Sequence, residues 1–225
     1  MNGKPLAALL AAALLASTLQ GCFPLITTGV ATGLFAAVDR RTVGTQTEDE
    51  TIEWKASIQA HEKLGDKAHI NFTSYNRKVL ISGEAISPEI RYQAATLVMG
   101  IPNVLGVYNE LAVSPPSTFP ERSNDAFITS KIKSRSLDSK KFSPVHVKVV
   151  TEAKVAFLLG IVTSEEAEAA INVARTTAGV KKVVNLFEIV TPGKAKELDK
   201  MTQDDDKSRN SAPSASSGDQ TDGTP

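Results

Sequence analysis

Lys154-Val155-Ala156-Phe157-Leu158-Leu159-Gly160, then Thr163 and Glu166, then Gly179-Val180-Lys181-Lys182-Val183-Val184-Asn185 are the stretches whose reading decides the fold. The first is a short apolar run ending at a glycine, the mark of a strand. Thr163 and Glu166 have the spacing of a capping box, and Ala167, Ala170, Ile171 and Ala174 continue it as a helical stripe. The last stretch is a second strand. Upstream, Val145, Val147 and Val149 alternate with His146 and Lys148, which predicts a strand paired with the first. Further upstream, Ile128 and Ile132 sit at i, i+4 on one helix face.

The same order occurs earlier in the chain. Ile52, Ala56, Ala60 and Leu64 form a helical stripe. Ile70 and Phe72 alternate with polar neighbours, and Lys78-Val79-Leu80-Ile81-Ser82-Gly83 returns after Tyr75-Asn76-Arg77. Ser87 caps a helix that opens on Pro88, where a missing N–H costs nothing. Val104, Val107 and Asn109 map onto Val180, Val183 and Asn185 at a separation of 76 residues. The expected architecture is α/β in the sense of an α+β sandwich: two tandem αββαβ domains, each a three-stranded mixed sheet packed on two helices. Pro115, Pro116 and Pro120 lie between the copies. The expected boundaries are 46–114 for the first domain, 115–122 for the linker and 123–192 for the second domain.

Both ends read differently. Leu6 to Leu19 is an unbroken apolar and small-residue run after Lys4, which fits a secretory signal and is short for a membrane span of ~20 residues. Leu19-Gln20-Gly21-Cys22 resembles the lipobox of bacterial lipoproteins. That resemblance implies a signal peptide over 1–21 and a lipid anchor, S-diacylglycerol and N-acyl, at Cys22. Cys22 is the only cysteine, so no disulfide forms within the chain, and lipidation consumes a thiol otherwise open to oxidation. The alternative is a signal cleaved near Ser17 that leaves Cys22 free. Phe23 follows the cysteine in place of the Asp that retains enteric lipoproteins in the inner membrane, so by analogy the anchor is in the outer membrane. From Gly193 onward Lys, Asp, Ser, Gly and Pro dominate, and the tail 193–225 is expected to be disordered.

Strand, glycine, capped helix and then Gly-Val-x-x-Val-x-Asn resemble the BON domain, a small envelope-associated module of bacteria. The second copy fits better, because the first has Asn103 where a glycine is expected. Asp39-Arg40-Arg41-Thr42-Val43-Gly44-Thr45-Gln46, after an apolar, glycine-rich stretch, resembles the mature N-terminus of a dual-BON outer-membrane lipoprotein subfamily, which implies a lipidated N-terminal segment over 22–45. That subfamily is associated with division and outer-membrane stress. The resemblance implies a periplasm-facing protein that binds anionic phospholipid, supports envelope integrity and is enriched at the division septum.

Little points to catalysis. His61, His69 and His146 are far apart and show no H-x-x-x-H or C-x-x-C spacing, so no metal ligand set is expected. Glu165, Glu166 and Glu168 fall in a first helical turn, where carboxylates complement the helix dipole. No nucleophile elbow, phosphate loop or dinucleotide fingerprint occurs, so neither an enzyme nor a cofactor is expected. Gly29 and Gly33 make a G-x-x-x-G in a short apolar run containing Pro24, a weak membrane-dimer signal. Export excludes nucleic acid as a partner.

Charge separates the copies. Residues 46–114 hold six Lys/Arg against nine Asp/Glu, a net −3, whereas 121–192 hold eleven against eight, a net +3. The second domain therefore suits an anionic surface. With Ile128 and Ile132 facing the core, Phe127 falls off that stripe together with Lys131, Ser134 and Arg135, and Lys140 and Lys141 follow. An outward aromatic among cations has the composition of a membrane-interface contact, and these six residues are the candidate phospholipid site. The alternative is that Phe127 packs on the other domain while the lysines solvate the surface. The equivalent position in the first copy is Thr51, and Trp54, opposite the Ile52 stripe, is expected at an interdomain contact. A protein-binding scaffold for an envelope assembly or proteolysis factor is the competing function.

Overall fold

The computed structural model describes residues 39–65 and 68–210. The leader, Cys22, the Gly29/Gly33 pair and the tail beyond 210 lie outside the described residues. Helix α1 (Val43–Leu64) starts where the Thr42 side chain accepts from the Thr45 amide, and it ends at Gly65 with φ +55°. Its stripe of Ile52, Ala56, Ala60 and Leu64 is buried as the periodicity predicts. Strands β1 (Ala68–Tyr75) and β2 (Lys78–Ala85) pair antiparallel. Helix α2 (Pro88–Met99) is capped by Ser87, and β3 (Gly106–Asn109) returns parallel to β2. A two-residue strand β4 (Ala112–Val113) extends the same edge against Glu84 and Ala85. It was not foreseen, because two residues carry no periodicity.

The second domain repeats this order. Helix α3 (Phe119–Ser139) opens with Glu121 accepting from the Thr118 amide at 2.7 Å. A 3-10 turn (Pro144–His146) leads into β5 (Val147–Glu152), so the expected strand at Val145 starts two residues later, after the proline. Strand β6 (Val155–Val162) is central, antiparallel to β5 and parallel to β7 (Lys182–Ile189). Helix α4 (Ser164–Arg175) carries the expected capping box at Thr163 and Glu166.

Three apolar clusters hold these layers. In each domain the helices pack on one sheet face, through Val79, Ile81 and Val98 in the first and Ala156, Leu158 and Ala174 in the second. The third cluster joins the two domains: Tyr75 and Leu80 meet Phe157, Leu159 and Ile161. Strands β2 and β6 are therefore covered on both faces, which is why they read as unbroken apolar runs instead of alternating ones.

The tail requires a correction. Residues 192–210 form helix α5 (Pro192–Asn210), with Ala195 and Thr202 buried and Leu198 packed on the interdomain cluster. Average composition over 193–225 masked a stripe at i, i+3 and i+7. No helix among the described residues is long and apolar enough to cross a membrane.

The hairpins explain why the fold needs its polar residues. Asn76 and Arg77 have φ of 52° and 63°, and Ala153 and Lys154 have φ of 48° and 65°. Two consecutive left-handed residues make a tight turn that matches strand twist, at a cost of about 1–2 kcal/mol for each non-glycine residue. A buried carboxylate from the preceding helix holds each turn. Asp49 (2 % exposed) accepts from the Asn76 and Arg77 amides at 2.9 and 2.7 Å and from the Ser74 hydroxyl at 2.6 Å. Asp125 (4 % exposed) accepts from the Ala153 and Lys154 amides at 2.8 and 3.0 Å. The two aspartates are 76 residues apart, but the turns they hold are 77 apart, so the second copy carries one extra residue between helix and hairpin. By the same offset His69 corresponds to His146 and Gly83 to Gly160. A side chain on either glycine would overlap the carbonyl of its histidine.

Asp125→Ala should cost about 2–4 kcal/mol in urea unfolding, since it strands two turn amides in a buried place. Replacing Ala153-Lys154 by Asn-Gly in that background should return about 1 kcal/mol, because those residues tolerate the left-handed region.

Candidate functional site

Helix α3 presents the candidate residues. Phe127 is 61 % exposed, so the ring is not taken up by the other domain. The Lys131 ammonium lies 4.8 Å from the ring centroid, one turn on. Beyond the six candidate residues, Phe119 and Leu137 on the same helix are 74 % and 70 % exposed. At 100° per residue both lie ~80° from Phe127 on the same side. Three large apolar side chains thus mark a stretch of helix roughly 27 Å long at 1.5 Å per residue. Sequence reasoning missed Phe119 and Leu137 because a single exposed leucine or terminal phenylalanine carries no pattern; the exposed side of the Ile128/Ile132 wheel was the available signal.

The structure divides the six candidate residues. Phe127, Lys131, Ser134 and Arg135 share one face of α3. Lys140 and Lys141 follow its last turn, ~20 Å along the axis from Phe127, in a groove that Glu165 and Glu168 also line. Lys131 donates to the Ala178 carbonyl at 2.5 Å. Arg135 donates to the Val173 carbonyl at 2.9 Å and to the Thr177 and Thr176 hydroxyls at 2.6 and 3.0 Å. Arg135 thus complements the negative end of α4, while Lys131 is held by the turn just beyond it and stands against the exposed ring. Gly179, with φ +104°, makes room for this arrangement: a methyl there would come within 2.9 Å of Ile128 Cγ1. Asn103 holds φ 69° at the matching place, so the first copy meets the same backbone demand with the next most tolerant residue type.

Trp54 is 66 % exposed, which corrects the expectation of an interdomain contact. The apolar interdomain surface belongs to the sheets, and from α1 it is the neighbouring Glu53 that reaches the second domain, accepting from Lys148 at 2.8 Å.

The Asp39–Gln46 motif joins the two domains. Arg40 is buried and donates to both carboxylate oxygens of Glu166 at 2.7 and 3.0 Å, to Asp199 at 2.8 Å and to the Ile161 carbonyl at 2.9 Å. Arg41 turns the other way, toward Asp39 at 2.6 Å and Asp49 at 2.7 Å, and lies 3.9 Å from the Tyr75 ring centroid. One arginine secures α4 and α5, and its neighbour secures the first hairpin. Burial pushes the Glu166 carboxyl up, but the Arg40 guanidinium and the Thr163 amide more than offset it and hold the group below its ordinary value. Burial disfavours the charge on Arg40, yet the paired carboxylates raise its proton affinity above the usual arginine value.

A further polar group crosses the domain boundary. His69, Glu84 and Glu152 each offer a ligand atom within 4.8 Å of the others. Spacing rules did not reveal it, because its members come from β1, β2 and β5.

This tandem αββαβ architecture, stapled by an arginine pair ahead of its first helix, defines a class of double-module α+β proteins. The BON domain family model matches residues 53–115 and 124–191, and the chain belongs to that family. It is 37% identical over 187 residues to the outer membrane lipoprotein DolP of Haemophilus influenzae, covering 82% of this chain and 95% of that protein. It is 35% identical over 155 residues to a 21 kDa hemolysin of Actinobacillus pleuropneumoniae, covering 68% and 80%. A solved structure of CdsD, a structural protein of the type III secretion system of Chlamydia trachomatis, shares 15% identity over 67% of this chain and 68% of its own at a TM-score of 0.27. That likeness is too slight to support any functional conclusion.

Arg40→Ala should cost about 3–5 kcal/mol, since it leaves Glu166 and Asp199 without their shared partner. Because the Glu166 carboxyl is depressed in the folded state, its stabilisation is complete above the ordinary value of 4.5 and is lost as pH falls through the lower folded value. Urea midpoints measured from pH 6 to pH 3 should fall, and Glu166→Gln should flatten part of that slope.

Proposed function

We propose that this chain is a lipoprotein of the outer membrane, anchored through Cys22 and facing the periplasm, whose second domain binds anionic phospholipid and supports envelope integrity without catalysis. The likeness to an outer membrane lipoprotein over nearly that protein's whole length supports the compartment. The observation that carries the lipid reading is the α3 surface, where Phe127 stands exposed with Lys131 against its ring, Phe119 and Leu137 are exposed on one flank of it and Arg135 lies on the other. A helix of this kind lies in the interface plane, with apolar side chains among the acyl chains and cations at the phosphates. Burial of one phenylalanine contributes roughly 1.5–3 kcal/mol and each cation near an anionic surface about 1 kcal/mol. The first domain has Thr51 at the Phe127 position, its hydroxyl bonded to the Thr47 carbonyl, so the fold itself does not call for an aromatic there.

A scaffold reading draws on the first domain, where Trp54 and Ile58 stand exposed one turn apart on α1. Flotation with liposomes of the unlipidated domains separates the two, because a scaffold stays at the bottom of the gradient.

Phe127→Ala with Leu137→Ser should weaken binding to phosphatidylglycerol micelles at least tenfold, read as loss of amide shift perturbation along α3. Adding Lys131→Gln should weaken it several-fold more. Phosphatidylcholine micelles should perturb α3 little, and unchanged perturbation by phosphatidylglycerol in the double variant defeats the lipid assignment.

A further inference from the structure

The group formed by His69, Glu84 and Glu152 belongs neither to the α3 surface nor to the arginine staple. His69 and Glu84 are cross-strand partners on β1 and β2, with His69 Nδ1 3.2 Å from Glu84 Oε2. Glu84 is buried, and the same oxygen receives the Ser117 amide and hydroxyl at 3.1 Å each. Glu152, the last residue of β5, brings the second domain to this point and accepts from Asn71 at 2.5 Å. Both carboxylates are thus aimed by neighbours outside the group, as orienting partners aim the ligands of a metal. His69 and Glu152 also line an open groove between the domains, so an ion has a path in.

Two carboxylates this close repel, and the repulsion is relieved either by a proton held on one of them or by a cation between them. Among the described residues, neither Glu84 nor Glu152 forms an ion pair with a lysine or arginine. Arg122 lines the same groove, but its hydrogen bond goes to the Ser117 carbonyl. The second copy provides an internal comparison. His146 occupies the position of His69, and it too faces two carboxylates, Glu166 at 3.9 Å and Asp199 at 3.6 Å. There the balancing cation is built in, because the Arg40 guanidinium bridges both carboxylates. At His69 the histidine likewise faces two carboxylates, Glu84 from the first domain and Glu152 from the second, without an arginine between them.

We propose that His69, Glu84 and Glu152 bind one divalent transition-metal ion of the zinc class, which ties the first domain to the second. One imidazole and two carboxylates suit zinc, with the remaining coordination positions left to water in the groove. Magnesium and calcium, which favour all-oxygen shells, fit this set less well. Binding that spans two domains stabilises their shared folded state by mass action.

The test uses the full chain, stripped with chelator and titrated with zinc chloride by calorimetry and by thermal unfolding. The expected result is one ion per chain and a rise in Tm with zinc but not with magnesium. Glu152→Gln and His69→Ala should each weaken zinc binding at least tenfold, and His61→Ala should leave it unchanged. Cobalt in place of zinc should give the visible absorption of a site with nitrogen and oxygen ligands. A wild-type ring-nitrogen NMR shift assigned to His69 gives the same answer if a variant fails to fold. No saturable binding in the micromolar range, or binding that survives both Glu152→Gln and His69→Ala, overturns the proposal.

Discussion

A carboxylate buried in a helix holds each half of this protein in shape. Asp49 and Asp125 sit three residues before the first large core residue of their helices, Ile52 and Ile128, and reach across to the turn amides of the following hairpin. The contact fixes helix against sheet at one end, so the isoleucine stripes that follow can only fall onto the sheet face that receives them. Neither the turn nor the buried charge is favourable alone, because left-handed residues cost energy and so does a desolvated carboxylate. Joined, they satisfy each other. The first copy adds Arg41 to its aspartate, and through Arg41 the hairpin is connected to the segment that also carries Arg40.

From that constraint the interdomain arrangement follows. With the helices committed to one face of each sheet, the opposite faces of β2 and β6 are left apolar and must be covered. They cover each other through Leu80, Phe157, Leu159 and Ile161, and α5 adds Leu198 at the margin. Arg40 then connects three elements that the apolar contact alone would leave free to slide, since a guanidinium with five donors fixes geometry as well as charge. The outer helix surfaces are thereby released from structural duty, and there the copies diverge into an acidic domain bearing Trp54 and a basic one bearing Phe127.

Features that depend on local periodicity were legible in the sequence: the helix stripes, the capping box at Thr163, the repeat itself and the exposure of Phe127. Features that depend on contacts between distant residues were not. Asp49 and Asp125 read as ordinary polar helix positions, although their shared offset of 76 residues and their place on the buried stripe offered a signal. The constant offset hid the extra residue before the second hairpin, because strands of valine and leucine look alike one position out of step. Helix α5 was lost in the average composition of the tail. His69, Glu84 and Glu152 could not be grouped by spacing, since only the folded sheets bring them together.

How strong the α3 surface must be depends on where the chain is held. Sixteen residues separate Cys22 from Asp39, a span that reaches at most about 60 Å. On the proposed anchoring through Cys22, the domain would meet lipid at an effective concentration in the millimolar range, and even a contact that is weak in free solution would stay occupied. A ring and two fixed cations supply a contact of that order, because Lys131 and Arg135 are already ordered by the end of α4 and lose little freedom on binding. Tighter binding would gain little occupancy and would slow release. Under the proposed function, a modest surface on an anchored module is thus physically sufficient.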